Sequence, residues 1–268
     1  MKNKIVNFIN SKSFCKRKFF YLHSFTLAEL LITLGIIGLI AVIITPNIVG
    51  YYREKQTIVQ VKKFYSVISN IYNSIRFEHG ELNANFSVEV PDNSNFIIDL
   101  ICKNLKCNQI FYTGTPERQV IINNFVNKDG GKIYSRNGDL EVNTFGHEYR
   151  AVATLNDGTI FAVKGTKRTE TSFNCLSSKG NNGSNYCFSI DYVSNPRRLQ
   201  RGKSFFTFYA FKDRILPAGT QDFYYYSSYE DYCVIGGTAC TAWLLAFENM
   251  DYLHCPNELS WQGKHSCK

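Results

Sequence analysis

Apolar and polar positions divide the chain into stretches of different period. From Phe25 to Thr45 the residues run FTLAELLITLGIIGLIAVIIT, and Glu29 is the only charge among them. At about 1.5 Å per residue, a helix of this length reaches about 30 Å, the hydrocarbon thickness of a bilayer. A core helix would keep a polar face, whereas Leu30 to Ile44 is apolar on all sides apart from Thr33 and the glycines Gly35 and Gly38. A membrane segment is therefore predicted over 25–45. Pro46 lacks an amide donor, so a break is expected between Gly38 and Pro46, as a kink or a locally unwound turn. Beyond it, Ile58, Val61, Tyr65, Ile68, Tyr72 and Ile75 recur at steps of three and four, with Lys55, Gln60, Lys62, Lys63 and Asn70 off that line. This is one apolar stripe on a continuing helix, which Gly80 ends.

From residue 81 the pattern shortens. Val152 to Leu155 and Thr159 to Val163 flank Asn156-Asp157-Gly158, a hairpin signal between β-branched and aromatic residues. Cys187 to Val193 and Phe205 to Phe211 read as two more strands, joined through Asn195-Pro196 and Gly202. The expected class is α+β: a long N-terminal α-helix, half in the membrane and half exported, packed against an antiparallel β-sheet head that carries disulfides. The segments are 1–24, a basic leader; 25–45, the transmembrane helix; 46–80, its exported half; and 81–268, the β-rich head.

Composition changes the picture in two respects. With 44% hydrophobic, 15% aromatic and 19% charged residues, disorder is excluded for the bulk of the chain. The net charge of +8 suggests nucleic acid until it is divided along the chain. Lys2, Lys4, Lys12, Lys16, Arg17 and Lys18 precede the apolar stretch with no acid among them, leaving 24 basic against 22 acidic residues afterwards. A generally basic body is thus ruled out, and no nucleic-acid partner is expected. The basic leader stays in the cytoplasm and the body is exported. A secretory signal would end in small residues, and Ile44-Thr45-Pro46-Asn47 is a poor cleavage site. Glu29, an acid inside a membrane helix, needs a partner.

Ser24-Phe25-Thr26-Leu27-Ala28-Glu29-Leu30-Leu31 resembles the processing and methylation motif of type IV prepilins and type II secretion pseudopilins. Pro46, 21 residues after Phe25, also falls where that family commonly carries proline. Ser24 departs from it, since glycine is usual there. The resemblance implies cleavage between Ser24 and Phe25 by a prepilin peptidase, N-methylation of Phe25, and retention of the apolar helix. It implies that the Glu29 carboxylate of one subunit neutralises the Phe25 ammonium of its neighbour, fixing the axial register of a filament. The implied fold is pilin-like. The implied partners are a prepilin peptidase and methyltransferase, copies of itself and other pilin-like subunits, an inner-membrane assembly platform, and membrane lipid before assembly. The implied location is the bacterial inner membrane, single-pass, with the leader cytoplasmic and the head periplasmic or extracellular, and then a pilus or pseudopilus. A structural subunit of such a filament is the function expected. The alternatives are a minor tip pilin or adhesin, and an unprocessed signal-anchored receptor or enzyme.

Eight cysteines follow Cys15. They allow 105 pairings. Sequential bridges, Cys102–Cys107, Cys175–Cys187, Cys233–Cys240 and Cys255–Cys267, are the simplest set, with Cys240–Cys255 as a rival. Zinc is disfavoured because no Cys-x2-Cys pair exists, although His254-Cys255 and His265-x-Cys267 offer ligand types that bind it. No cofactor is expected. Calcium is the alternative, since some pseudopilins bind it in a head loop. The loop from Asp191 to Ser204 is too basic for it, and Glu230, Asp231, Glu248 and Asp251 remain as weak ligand candidates. No Gly-x-Ser-x-Gly elbow, His-Glu-x-x-His or phosphate loop is present, so no enzyme is expected. His147-Glu148 reads as a surface turn, and the aromatic run Phe223 to Tyr229 reads as an edge strand or subunit contact.

Overall fold

The structure, a computed structural model, describes residues 26–79, 93–112, 133–134, 140–141, 150–165, 187–195, 200–220, 233 and 237–267. The chain forms two compact units, Met1–Val49 and Gly50–Lys268.

One helix, α1 (Leu27–His79), contributes to both units. α1 stays helical through Gly38 and Pro46, with no unwound turn between them. Proline's fixed φ is itself helical, and its ring removes only one amide from a ladder that continues on both sides. The Thr45 hydroxyl donates to the Ala41 carbonyl in the turn that the ring loosens.

Within the second unit, α1 buries the predicted stripe. Ile58, Val61, Ile68, Tyr72 and Ile75 are buried and Tyr65 is half-buried, and Phe64 and Ile71 widen the face. It packs on an antiparallel sheet whose six strands lie in the order β1 (Gln109–Phe111), β4 (Arg150–Thr154), β5 (Ile160–Gly165), β6 (Phe188–Val193), β7 (Phe205–Ala210) and β8 (Ile215–Pro217). From β4 onwards the sheet is a meander. A separate pair joins β2 (Ile133–Tyr134) and β3 (Leu140–Glu141).

Alternation along the strands sorts side chains onto two faces. Phe161 and Val163, Ile190 and Tyr192, and Phe206 and Phe208 join α1 in the main core. Ile160, Ala162, Val193 and Phe205 gather with Phe111 and Val152 in a second cluster. The Phe64 ring stacks on Tyr192 at 4.3 Å and tilts against Phe161 and Phe208 at 5.9 and 5.8 Å. Every residue of β6 and β7 is buried, and β7 accordingly reads as a nearly continuous apolar run, FFTFYA, while β6 carries Ser189 and Asp191 between its apolar residues. Two of the polar residues pair with each other: the Thr207 hydroxyl donates to buried Asp191 at 2.8 Å.

The hairpin follows its sequence. Gly158 has φ +80, its amide donates to the Leu155 carbonyl at 3.0 Å, and the Leu155 amide donates to Thr159 O at 2.9 Å. Asp157 accepts from the Thr159 amide at 3.0 Å. At Gly219, φ is +92 and a Cβ would lie 2.3 Å from the Ala239 carbonyl oxygen, so only glycine fits.

Two helices of the head have no counterpart in the sequence reading. Helix α2 (Asn93–Leu105) places Ile97, Ile98, Ile101 and Cys102 in the main core. Helix α3 (Cys240–Phe247) contributes Cys240, Trp243 and Leu244 to it, and short 3-10 turns follow at Asp251–Leu253 and Pro256–Glu258.

Three side chains of α1 hold the β7–β8 turn. Tyr72 donates to the Phe211 carbonyl, Arg76 to the Asp213 carbonyl and Tyr65 to the Ile215 carbonyl. Burial keeps the Tyr72 phenol neutral well beyond its ordinary range and pushes Tyr192 up to about 12. In the unfolded chain both ionise near pH 10. Their contribution to stability is therefore whole below about pH 10 and is lost as pH rises towards 12, by up to about 1.4 kcal/mol per pH unit for each. An alkaline phenolate titration should find these two tyrosines ionising last, together with unfolding. Tyr72→Phe should shallow the slope of stability against pH.

Candidate functional site

The candidate site is the first half of α1. Ser24 and Phe25, the expected cleavage and methylation positions, lie outside the described residues. The helix begins directly after Thr26, whose carbonyl accepts from the Leu30 amide at 3.2 Å. The Thr26 hydroxyl accepts from the Glu29 amide at 3.2 Å, and one Glu29 carboxylate oxygen accepts from the Thr26 amide and hydroxyl, both at 2.9 Å. Thr26 and Glu29 thus form a reciprocal capping box, in which two amides that the first turn leaves without helical partners are satisfied. The carboxylate also stands at the positive end of the helix dipole.

The capping role escaped the sequence reading, which took Glu29 only as a charge needing a partner. The signal was present: Thr26-Leu27-Ala28-Glu29 has the Thr-x-x-Glu spacing of that motif.

Beyond the cap, α1 offers nothing polar to a neighbour for several turns. The Thr33 hydroxyl donates to Leu30 O at 2.9 Å and Thr45 to Ala41 O, so both hydroxyls are satisfied inside the helix. Leucine, isoleucine and valine side chains from Leu27 to Val49 are exposed, including Leu30, Leu34, Ile37 and Ile44. A Cβ built on Gly35 or Gly38 would meet nothing within 4 Å. This is the one helix among the described residues long and apolar enough to cross a membrane. Internally bonded backbone, satisfied hydroxyls and a fully apolar surface meet the requirements of a lipid environment.

No family model, curated protein or solved structure matches the chain.

The second unit holds the other residues singled out in the sequence. Bridges join Cys102 to Cys107, Cys233 to Cys240 and Cys255 to Cys267. Cys240 therefore does not pair with Cys255; its helix start faces Cys233, with Cα atoms 4.6 Å apart. Cys187 is also disulfide-bonded, and Cys175 lies outside the described residues. The Cys102–Cys107 bridge closes the end of α2, where Lys106 turns left-handed and its amide donates to Cys102 O at 3.0 Å.

The acids proposed for calcium are engaged elsewhere or undescribed. Glu248 pairs with Lys62 of α1 at 2.5 Å, and the Lys62 ammonium beside it holds its carboxyl below the usual carboxylate range. Asp251 accepts from the Cys267 amide at 2.7 Å, and Asp191 from Thr207. Glu230 and Asp231 lie outside the described residues. His254 meets both carboxylate oxygens of Glu54 at 3.0 Å, and His265 stacks on Phe247 at 4.0 Å. Among the described residues no cluster of three or more His, Cys, Asp or Glu could hold a metal ion. His147-Glu148 and the run Phe223 to Tyr229 lie outside the described residues as well.

Proposed function

We infer that the chain is a type IV pilin-like subunit: cut between Ser24 and Phe25, methylated on Phe25, and assembled through α1 into a pilus or a secretion pseudopilus. The observation that carries the reading is the apolar half of α1, exposed from Leu27 onwards and closed at its start by Thr26 and Glu29, directly after the Ser24-Phe25 junction. A helix with so much exposed apolar surface needs lipid or other helices around it. Before assembly it stands in the inner membrane with the leader in the cytoplasm; after assembly, neighbouring copies replace the lipid.

The two ends of the site divide the work. The apolar side chains supply non-directional attraction, which alone would let helices slide past one another. Glu29 supplies direction, because its charge finds an opposite partner in the apolar interior only at the neighbour's new amino group. Cutting before Phe25 creates that amino group and removes the six basic residues that hold the leader in the cytoplasm. Disulfides suit the head to an oxidising compartment.

Membranes bearing the full chain with Ile32→Cys and Leu39→Cys test the assembly step. In cells with the assembly machinery, oxidation should give a ladder of dimers, trimers and longer species. Monomer alone would indicate a solitary anchor.

A further inference from the structure

We propose that Tyr51, Tyr52, Arg53 and Lys55 of α1 form a collar that binds phospholipid headgroups where the apolar stretch ends, seating the phosphates of that leaflet. The collar presupposes the membrane reading above and adds to it the residues that meet the lipid.

Chain chemistry changes abruptly after Val49. The run Gly50-Tyr51-Tyr52-Arg53-Glu54-Lys55 brings together two phenols, two cations and one acid. Tyr51 and Tyr52 are 60% and 70% exposed, and Arg53 and Lys55 are exposed too. Tyrosine carries a hydroxyl at the tip of an apolar ring, and it is enriched where hydrocarbon gives way to water. The Lys55 ammonium lies 5.5 Å from the centre of the Tyr51 ring, so cation and ring are presented together.

The acid is turned away from this surface. His254 meets both Glu54 carboxylate oxygens at 3.0 Å, and the Glu54 side chain is only 23% exposed. Among the described residues, Arg53 and Lys55 meet no carboxylate at ion-pair distance. Glu248, which Lys55 influences from further off, is paired with Lys62. The unpaired charge of this turn is therefore positive, the complement of a phosphate.

Arrangement around the axis decides between lipid and a protein partner. At about 100° per residue, Tyr51, Lys55, Tyr52 and Arg53 fall at roughly 0°, 40°, 100° and 200°, while Glu54 and the buried Ile58 and Val61 fall between roughly 280° and 340°. The collar thus covers more than half of the circumference, on the sides that the head leaves open. A protein docking from one direction would reach only part of it, whereas a lipid layer surrounds the helix and reaches it all.

Length agrees with this placement. Tyr51 follows Glu29 by 22 residues, or about 33 Å of helix, against a hydrocarbon core of about 30 Å. With the collar among the headgroups at one boundary, Glu29 comes to the other, where an acid costs far less than at the bilayer centre.

The full chain in vesicles of phosphatidylcholine and phosphatidylglycerol in equal parts, without any assembly machinery, tests the proposal. Tyr52→benzoylphenylalanine, irradiated and digested, should yield a peptide carrying a covalently attached phospholipid. Lys63→benzoylphenylalanine, at another exposed position of α1 about 16 Å further along, should yield at least tenfold less. The Tyr52 adducts should favour phosphatidylglycerol at least threefold, and Arg53→Gln with Lys55→Gln should remove that preference while leaving the disulfides intact. Equal lipid labelling at the two probes, labelling of a second copy in place of lipid at the Tyr52 probe, or an unchanged preference in the double variant overturns the proposal. A chain that resists carbonate extraction yet gives one of these results sinks the collar alone, whereas a chain that carbonate releases removes the membrane reading and the collar with it.

Discussion

Glu29→Gln should insert into the membrane as well as the parent chain and yet enter the oxidised ladder at least tenfold less. Glu29 has two roles available, and this substitution separates them. As the last residue of the capping box it accepts from the Thr26 amide, a role glutamine also fills. As the negative partner of a neighbour's amino group it needs its charge, which glutamine lacks. Glu29→Ala removes both roles, so its failure alone would say little about register. If Glu29→Gln assembles normally and only Glu29→Ala fails, Glu29 is a cap and the register role is wrong. Glu29→Asp adds a further check, because it keeps the charge on a shorter side chain. It should recover part of the incorporation that glutamine loses.

Phe64→Ala should destabilise the head by about 3–5 kcal/mol, the usual cost of emptying a large aromatic site in a core. Phe64 is 4% exposed and meets rings from β5, β6 and β7 at once, so no single neighbour can relax into the space. Against a total of roughly 5–15 kcal/mol, the loss is a large fraction of what holds the head folded. For a body of this size, the midpoint of thermal unfolding should fall by roughly 6–20 °C. The full chain in detergent, followed by Trp243 and Trp261 fluorescence, gives the measurement. Val59→Ala on the same helix, at a side chain 65% exposed, should change stability by no more than about 0.5 kcal/mol. Equal effects at the two positions would mean that α1 does not pack on the sheet through Phe64.

The difference between those two positions shows what was legible in the sequence. Steps of three and four pick out a single seam, and Ile58, Val61, Ile68, Tyr72 and Ile75 lie on it. A helix that packs on a broad sheet needs a wider face, so Phe64 and Ile71 are buried beside the seam. The hairpin at Asn156-Asp157-Gly158 was legible because its turn chemistry is local: Gly158 takes the left-handed backbone and Asp157 caps Thr159. Strands β6 and β7 were legible from their density of aromatic and β-branched residues.

What escaped is non-local. Strand β1 has three residues and exists through its pairing with β4, Gln109↔Thr154 to Phe111↔Val152, too short a run to show alternation. Helix α3 reads CTAWLLAF, an apolar run whose length fits a buried strand as well as a buried helix. Its burial beside β7 and β8 decides in favour of helix. The disulfides divide in the same way. Nearby cysteines invite sequential pairing, but only the folded positions of Cys233 and Cys240 exclude the bridge to Cys255. At Pro46 the helix continues, since one lost amide does not end a helix whose other hydrogen bonds persist.

In the candidate site, the apolar length, the acid and the resemblance to a cleavage motif were all visible in sequence. The pairing of Thr26 with Glu29 became evident only with the side chains in place. That pairing puts the carboxylate at the very start of the helix.

The most direct measurement is the mass of the N-terminal peptide from the membrane-extracted or filament-bound protein. The account predicts a chain that starts at N-methylated Phe25 and keeps the apolar helix that follows. A peptide starting at Met1, or a chain beginning beyond Thr45 with the apolar stretch lost, would contradict it.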